Sequence, residues 1–245
     1  MTEKDERHFC ISVAGHTIAI DALHSDVFSH CRDYLCDLDP EVRVFIDEKD
    51  IEYERSEMNK VRSSQKEGYI ETIAVYRKIS EIMLDLDSFL MHGAVVATGG
   101  EAYMFTATSG TGKTTHIKKW LKNLDDAFVV NGDKPLIKMT DTQAIACGTP
   151  WCGKERLGSN TMVPLKAIVL MERGEDNAME EISFGKAFTF LLQQTYWPAD
   201  TIKRKKTLEF LSQLSGKVRF FMFHFNNLKD NSFSVAYQAL IGNKV

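Results

Sequence analysis

From Ala107 to Thr115 the chain reads Ala-Thr-Ser-Gly-Thr-Gly-Lys-Thr-Thr, a run whose residue types suit a polyphosphate. Gly110 and Gly112 allow the backbone to curl, so that N–H groups of Ser109, Gly110, Thr111 and Gly112 can point inward at phosphate oxygens. A helix that starts near Lys113 adds the positive end of its dipole. Lys113 is placed to reach the β- and γ-phosphates and the Thr114 hydroxyl to ligate Mg²⁺, and Thr115 is counted with them as nucleotide-binding. The pattern usually opens with glycine, and here Ala107 takes that place.

The flanking sequence supplies the elements such a loop needs. An apolar run, Gly93 to Thr98, is led by His92. Gly99-Gly100 turns it into a second run, Ala102 to Thr106, which predicts a strand entering the loop. Ile117, Trp120, Leu121 and Leu124 then recur at i, i+3, i+4 and i+7, which predicts a helix leaving it. His116, one turn into that helix, reads as a surface residue. Beyond the helix, Ala127 to Val130 reads as a short buried strand ending in Asn131-Gly-Asp133-Lys-Pro135. An acidic residue at the end of an apolar strand beyond a phosphate loop is where a carboxylate organising Mg²⁺ is expected, which makes Asp133 a candidate. That stretch, NGDKP, is full of turn formers, so Asp133 also reads as a plain turn residue.

Leu136–Met139 and Ala144–Cys147 read as a hairpin around Asp141-Thr142. The loop that follows, 148–156, offers Lys154 and Arg156 as cations beside Glu155. It could stabilise transferring phosphoryl charge or hold an acceptor; the alternative is an ordinary solvated loop. Strands are expected at 165–171 and 218–225, and helices at 184–194, 200–214 and 232–241. The basic run Lys203–Lys206 reads as a solvated helix face.

Upstream, residues 8–20 hold two short β-like runs joined at Ala14-Gly15, and 42–46 reads as a third strand. Residues 24–38 look helical, with Val27, Cys31, Tyr34, Leu35 and Leu38 on one face. Residues 47–67 carry charge of both signs and read as an exposed segment with some helical content, or a connector. Residues 69–90 give the clearest helical spacing. The expected organisation is α/β: a small N-terminal α+β subdomain over 1–66 and a nucleotide-binding catalytic domain over 67–245.

Bulk properties narrow the partners. A net charge of −4 gives no basic excess for nucleic acid. No apolar run approaches the roughly 18 residues of a membrane span. The start, MTEKDERHF, has no apolar h-region, so no secretory signal is expected and the cytoplasm is the expected location. The five cysteines, Cys10, Cys31, Cys36, Cys147 and Cys152, lack standard zinc spacing and read as reduced thiols.

His92-Gly93, followed after a β-hairpin by Lys113, resembles the catalytic core of the HPr kinase/phosphorylase family. Ser109 to Thr115 is similar to the nucleotide loop of ATP-dependent phosphoenolpyruvate carboxykinase. The two families share a core fold, and the resemblance runs from about residue 69 to 240. It implies a core built as a mixed β-sheet flanked by helices. It implies that Lys113 and Thr114 hold phosphates and Mg²⁺, that His92 is an active-site histidine, and that Asp133 takes the proton of an acceptor hydroxyl. Lys154 and Arg156 lie roughly where these families supply further active-site groups. The cofactors implied are ATP and Mg²⁺, and a homo-oligomer is a further expectation. The chain departs from the HPr kinase pattern at Thr114-Thr115, where Ser-Glu is typical, and at Gly132-Asp133-Lys134, where a paired Asp-Asp stands. The acceptor therefore stays open between a serine of a small protein or peptide and a small hydroxyl metabolite. So does the choice between a kinase and a nucleotide-binding regulatory or assembly protein that transfers nothing.

Overall fold

The structure is a computed structural model that describes residues 6–58 and 64–242. Contacts divide the chain into two units, Met1–Leu86 and Asp87–Val245. The boundary read from sequence, at 66, precedes the long helix, and the contacts group that helix with the N-terminal unit.

In the first unit β1 (His8–Val13) and β2 (His16–Asp21) form an antiparallel hairpin, and β3 (Val42–Phe45) lies parallel to β2. The turn requires left-handed backbone at Ala14 (φ 54°) and Gly15 (φ 81°). Helix α1 is short, Asp26–Cys31, and runs into a 3₁₀ turn at Arg32–Tyr34. The longer helix expected over 24–38 does not form. Leu35 is extended and bridges to Ile11, and Leu38 is 62% exposed, so the apolar spacing there does not mark a buried face. The charged segment contains α2 (Glu48–Glu57), opened by a reciprocal capping box between Asp47 and Asp50. It is anchored rather than free: Ile51 and Glu54 are buried, and Arg77 binds both Asp50 (3.1 Å) and Glu54 (2.5 Å). Residues 59–63 of that segment lie outside the described residues.

Helix α3 covers Glu67–Asp85. It stops short of 90 because the Leu86 N–H closes back on Met83 and Asp87 turns left-handed (φ 55°), after which Ser88–Leu90 is strand β4. Within α3, Glu71 is fully buried and accepts from the Leu23 N–H (2.6 Å), the His24 N–H (2.9 Å) and the His24 ring (2.9 Å). Glu71→Ala orphans these donors, and a loss of about 3 kcal/mol in unfolding free energy is expected from urea titration.

The second unit is built on a nine-stranded mixed sheet. Its main path runs β4, β8 (Leu136–Met139), β9 (Ala144–Cys147), β10 (Met162–Arg173), β6 (Glu101–Thr106), β5 (Ala94–Thr98) and β7 (Phe128–Asn131). Strand β12 (Arg219–Phe225) pairs parallel with β10, and β11 (Ala178–Ile182) pairs antiparallel with β12. The start of β10 is antiparallel to β9; from Leu165 it runs parallel to β6, with an irregularity between Leu165 and Ala167, and from Ala167 parallel to β12. Helices α4 (Lys113–Asn123) and α7 (Ser232–Leu240) cover one face. There Trp120, Ile117, Ala236 and Leu240 meet Tyr103, Phe105, Val169, Phe221 and Phe223. On the other face Phe184 of α5 (Phe184–Gln194) packs on Phe220, and Phe210 of α6 (Thr201–Gln213) stacks on Phe89. The periodicity is simple: alternate residues of β6, β10 and β12 face α4, and the residues between them face away.

Candidate functional site

Strands β6, β10 and β12 are parallel, and their C-terminal ends form one edge. The loop 107–112 leaves that edge and enters α4. Gly110 (φ 82°) and Gly112 (φ 117°) are both left-handed, as the curl expected from sequence requires. Thr111 folds back, its Oγ1 donating to the Thr108 carbonyl (2.9 Å). Gly112 caps α4 with no side-chain acceptor, and the first turn holds no acidic residue. The first bond of the helix runs from the His116 N–H to Gly112 (3.0 Å), so the N–H groups of Lys113, Thr114 and Thr115 have no helical acceptor. They sit at the positive end of an uncompensated dipole.

Lys113 is half-buried and its Nζ donates to the Ala107 carbonyl (2.9 Å), bracing the loop across its mouth. Burial draws its ammonium below the ordinary lysine range; Asp133 opposes that and Lys134 reinforces it. Thr114 is half-buried, while Ser109, Gly110 and Thr115 are exposed. Gly112 has a second constraint: a Cβ there would lie 2.6 Å from the Phe225 ring. Gly112→Ala therefore combines a disfavoured φ with a clash, and a loss of about 2 kcal/mol or more is expected in thermal unfolding.

His116 is not a surface residue. It is fully buried among Phe105, Phe223 and Phe225, and its Nε2 accepts from the Trp120 indole N–H (3.0 Å). Burial pushes its pKa down to about 3, so the ring is neutral. Its spacing from Trp120, i to i+4, was the available signal: it shares that residue's inward face.

Asp133 sits just beyond β7 in a turn organised by Asn131. That side chain is fully buried; its Oδ1 accepts from the N–H groups of Asp133 (2.9 Å) and Lys134 (2.7 Å), and its amide donates to Thr149. The Asp133 carboxylate is 3.1 Å from His92 Nε2 and 3.8 Å from Lys134 Nζ. Burial works upward on this carboxyl. The His92 hydrogen bond and the charges of Lys134, His92 and Lys113 outweigh it and hold the group below the usual range. His92 is fixed from three sides. Its N–H donates to the Gln194 carbonyl (2.7 Å), its carbonyl accepts from Thr106 Oγ1 (2.7 Å), and Nδ1 meets Gln194 Oε1 (3.0 Å). The Gly93 N–H also binds the Asp133 carbonyl (2.9 Å). The structure thus brings His92, Asp133 and Lys113 to one place.

The loop 148–158 is fastened to the same turn by backbone. A Cβ on Gly132 would stand 2.7 Å from the Cys152 carbonyl, and one on Gly153 3.1 Å from the Asp133 Cβ. Lys154 and Arg156 are exposed on this loop, Arg156 at a left-handed φ of 51°. The backbone at Gly153 comes close to the Asp133 side chain. Glu155 reaches α4 instead, pairing with Lys118 (2.5 Å).

Gln194 and Arg173, both at the site, carried no sequence expectation. The latter donates from Nη2 to the Gly110 carbonyl (3.1 Å) at the end of β10. For a divalent ion, Thr114 and Asp133 offer one hydroxyl and one carboxylate. These hard oxygens suit Mg²⁺, which takes one or two carboxylates and completes its shell with phosphate and water. Among the described residues no group of three or more His, Cys, Asp or Glu side chains could hold a metal unaided.

No family model matches the chain, and no curated protein matches it. Among solved structures it is similar to the Hpr(Ser) kinase/phosphatase from Coxiella burnetii, at 8% identity and a TM-score of 0.38, over 61% of this chain and 88% of that one. Among the described residues no helix is long and apolar enough to cross a membrane.

Proposed function

We propose that the chain is an ATP- and Mg²⁺-dependent phosphotransferase that moves a γ-phosphoryl group to a hydroxyl acceptor, a serine of a small protein or peptide or a small metabolite. The observation that carries this reading is the meeting of a braced cation, Lys113, with a carboxylate, Asp133, that His92 holds at 3.1 Å beside unpartnered helix N–H groups. A nucleotide-binding loop alone would need only the first and the last.

In this reading the loop N–H groups and the α4 dipole take the β- and γ-phosphate charge. Lys113 exchanges the Ala107 carbonyl for a phosphate oxygen. Thr114 and Asp133 would hold Mg²⁺, which neutralises charge on the transferring group. Asp133 accepts the acceptor's proton as the oxygen attacks phosphorus in line and the bond to the β-phosphate oxygen breaks. His92 keeps the carboxylate oriented and ionised. The Gln194 amide can present either its oxygen or its nitrogen to Nδ1, so it satisfies the ring before and after a proton moves.

A second reading has an observation of its own. His92 and Lys134 both lie against the Asp133 carboxylate, which makes it a weak base. That favours a regulatory or assembly protein that binds nucleotide without transferring phosphate. The test is incubation with γ-labelled ATP and Mg²⁺, with and without a filtered lysate. Label on a protein, peptide or metabolite supports the transferase, and the labelled species names the acceptor. Nucleotide binding with label released only slowly to water supports the second reading.

A further inference from the structure

Far from the loop in sequence, the first unit holds two thiols side by side. Cys10 is on β1, the edge strand of the small sheet, and Cys36 follows the 3₁₀ turn. The segment containing Cys36 pairs with that edge: Ile11 bridges antiparallel to Leu35, and the Cys36 N–H donates to the Cys10 carbonyl (3.0 Å). An antiparallel register that sets 11 against 35 sets 10 against 36. Residues directly opposed in this way have Cα atoms about 4.5–5.5 Å apart, inside the roughly 4.4–6.8 Å span of disulfides. The two sulfurs are 3.6 Å apart, and both residues are partly exposed. Of the other cysteines, Cys31 and Cys147 are buried.

We propose that Cys10 and Cys36 are a reversible dithiol/disulfide pair, reduced in the state described here and closed by a small-molecule disulfide oxidant. One cysteine, as thiolate, attacks a sulfur of the oxidant and expels one small thiolate. The other, as thiolate, attacks that mixed disulfide at the protein sulfur and expels the second. The protein loses two electrons and two protons, and the oxidant becomes two thiols. Closing the pair needs the sulfurs to approach by about 1.5 Å to reach bonding distance, a movement within reach of side-chain rotation between fixed strands. Burial and the adjacent Cys36 sulfur hold the Cys10 thiol above its ordinary range, so the exchange speeds up as pH rises toward that range. The product pins the Leu35–Cys36 segment to β1 and covers a strand edge that would otherwise depend on a few backbone bonds.

The experiment uses the full chain with oxidised glutathione, followed by non-reducing peptide mapping. The expected product is a peptide pair linking Cys10 to Cys36, about 2 Da lighter than the dithiol, restored by dithiothreitol. Cys10→Ser and Cys36→Ser should each instead keep a glutathione adduct on the remaining thiol, and Cys31→Ser should form the link as wild type does. Wild-type protein that accumulates only glutathione adducts, stays unmodified at both positions, or links either cysteine to a different one overturns the proposal. Because the readout is made on wild-type protein, a variant that misfolds does not blunt it.

Discussion

Lys113→Ala should lower phosphotransfer by about 10²–10³-fold, the order expected when one preorganised cation is removed from a transferring phosphoryl group. Lys113 is half-buried, braces the loop through Ala107, and has an ammonium that burial draws below its usual range. Its charge is thus poorly solvated before ligand arrives, and a phosphate oxygen is a better partner than a carbonyl. Binding should accordingly restore the ammonium's pKa, so nucleotide binding at alkaline pH should take up protons. Calorimetry in buffers of different ionisation enthalpy checks that, and the rate loss is read from the labelled-ATP assay with nucleotide affinity measured beside it. An unchanged rate would remove Lys113 from the mechanism. Because Lys113 is only half-buried, the thermal midpoint of the variant should stay within a few degrees of wild type, which separates this loss from unfolding.

Asp133→Asn should lose transfer by about 10²–10⁴-fold while nucleotide affinity changes little. The substitution is nearly isosteric. The turn survives it because Asn131 binds the backbone N–H groups of residues 133 and 134, not the carboxylate. If the variant transfers phosphate at the wild-type rate, the proton goes elsewhere and Asp133 is not the base. The carboxylate also carries a pH signature. Its pKa is lowered in the fold from an ordinary 3.8. The ion pair therefore stabilises the protein above pH about 4, and that contribution is lost as pH falls through the folded value. Wild type should lose its stability advantage over Asp133→Asn below that point in acid titrations followed by circular dichroism.

What could be read in advance was whatever is written locally. The strand–loop–helix from β6 to α4 is set by two glycines, a lysine and a helical apolar spacing, and it stands where the sequence put it. The hairpin β8–β9 and helix Phe184–Gln194 were legible for the same reason. Strand β11 was not: Ala-Met-Glu-Glu-Ile is a mostly exposed edge whose pairing with β12 comes from its partner, not from its own pattern. Helix α1 was overdrawn because apolar spacing over 24–38 mixes buried Val27 and Cys31 with exposed Leu35 and Leu38. At the site, Asp133 stood out as an acid after a strand. Gln194 could not, since it reaches His92 across 102 positions and nothing near it in sequence announces that contact. His116 reads as a surface residue near the start of its helix, but its i, i+4 spacing from Trp120 puts it on the buried face.

The path of β10 bears on when the site can exist at all. One of its edges pairs with β6, which comes before it in the chain, and the other with β12, which is completed only at Phe225. As the chain emerges during synthesis, the strand that leads into the nucleotide loop has no parallel neighbour until Arg173 has appeared. Strand β10 then waits for some fifty further residues with a hydrophobic edge exposed. Pairings this distant close slowly, and an open apolar edge is a template for association with other chains. Nascent chains arrested between Arg173 and Arg219 should therefore be the aggregation-prone intermediates of this protein.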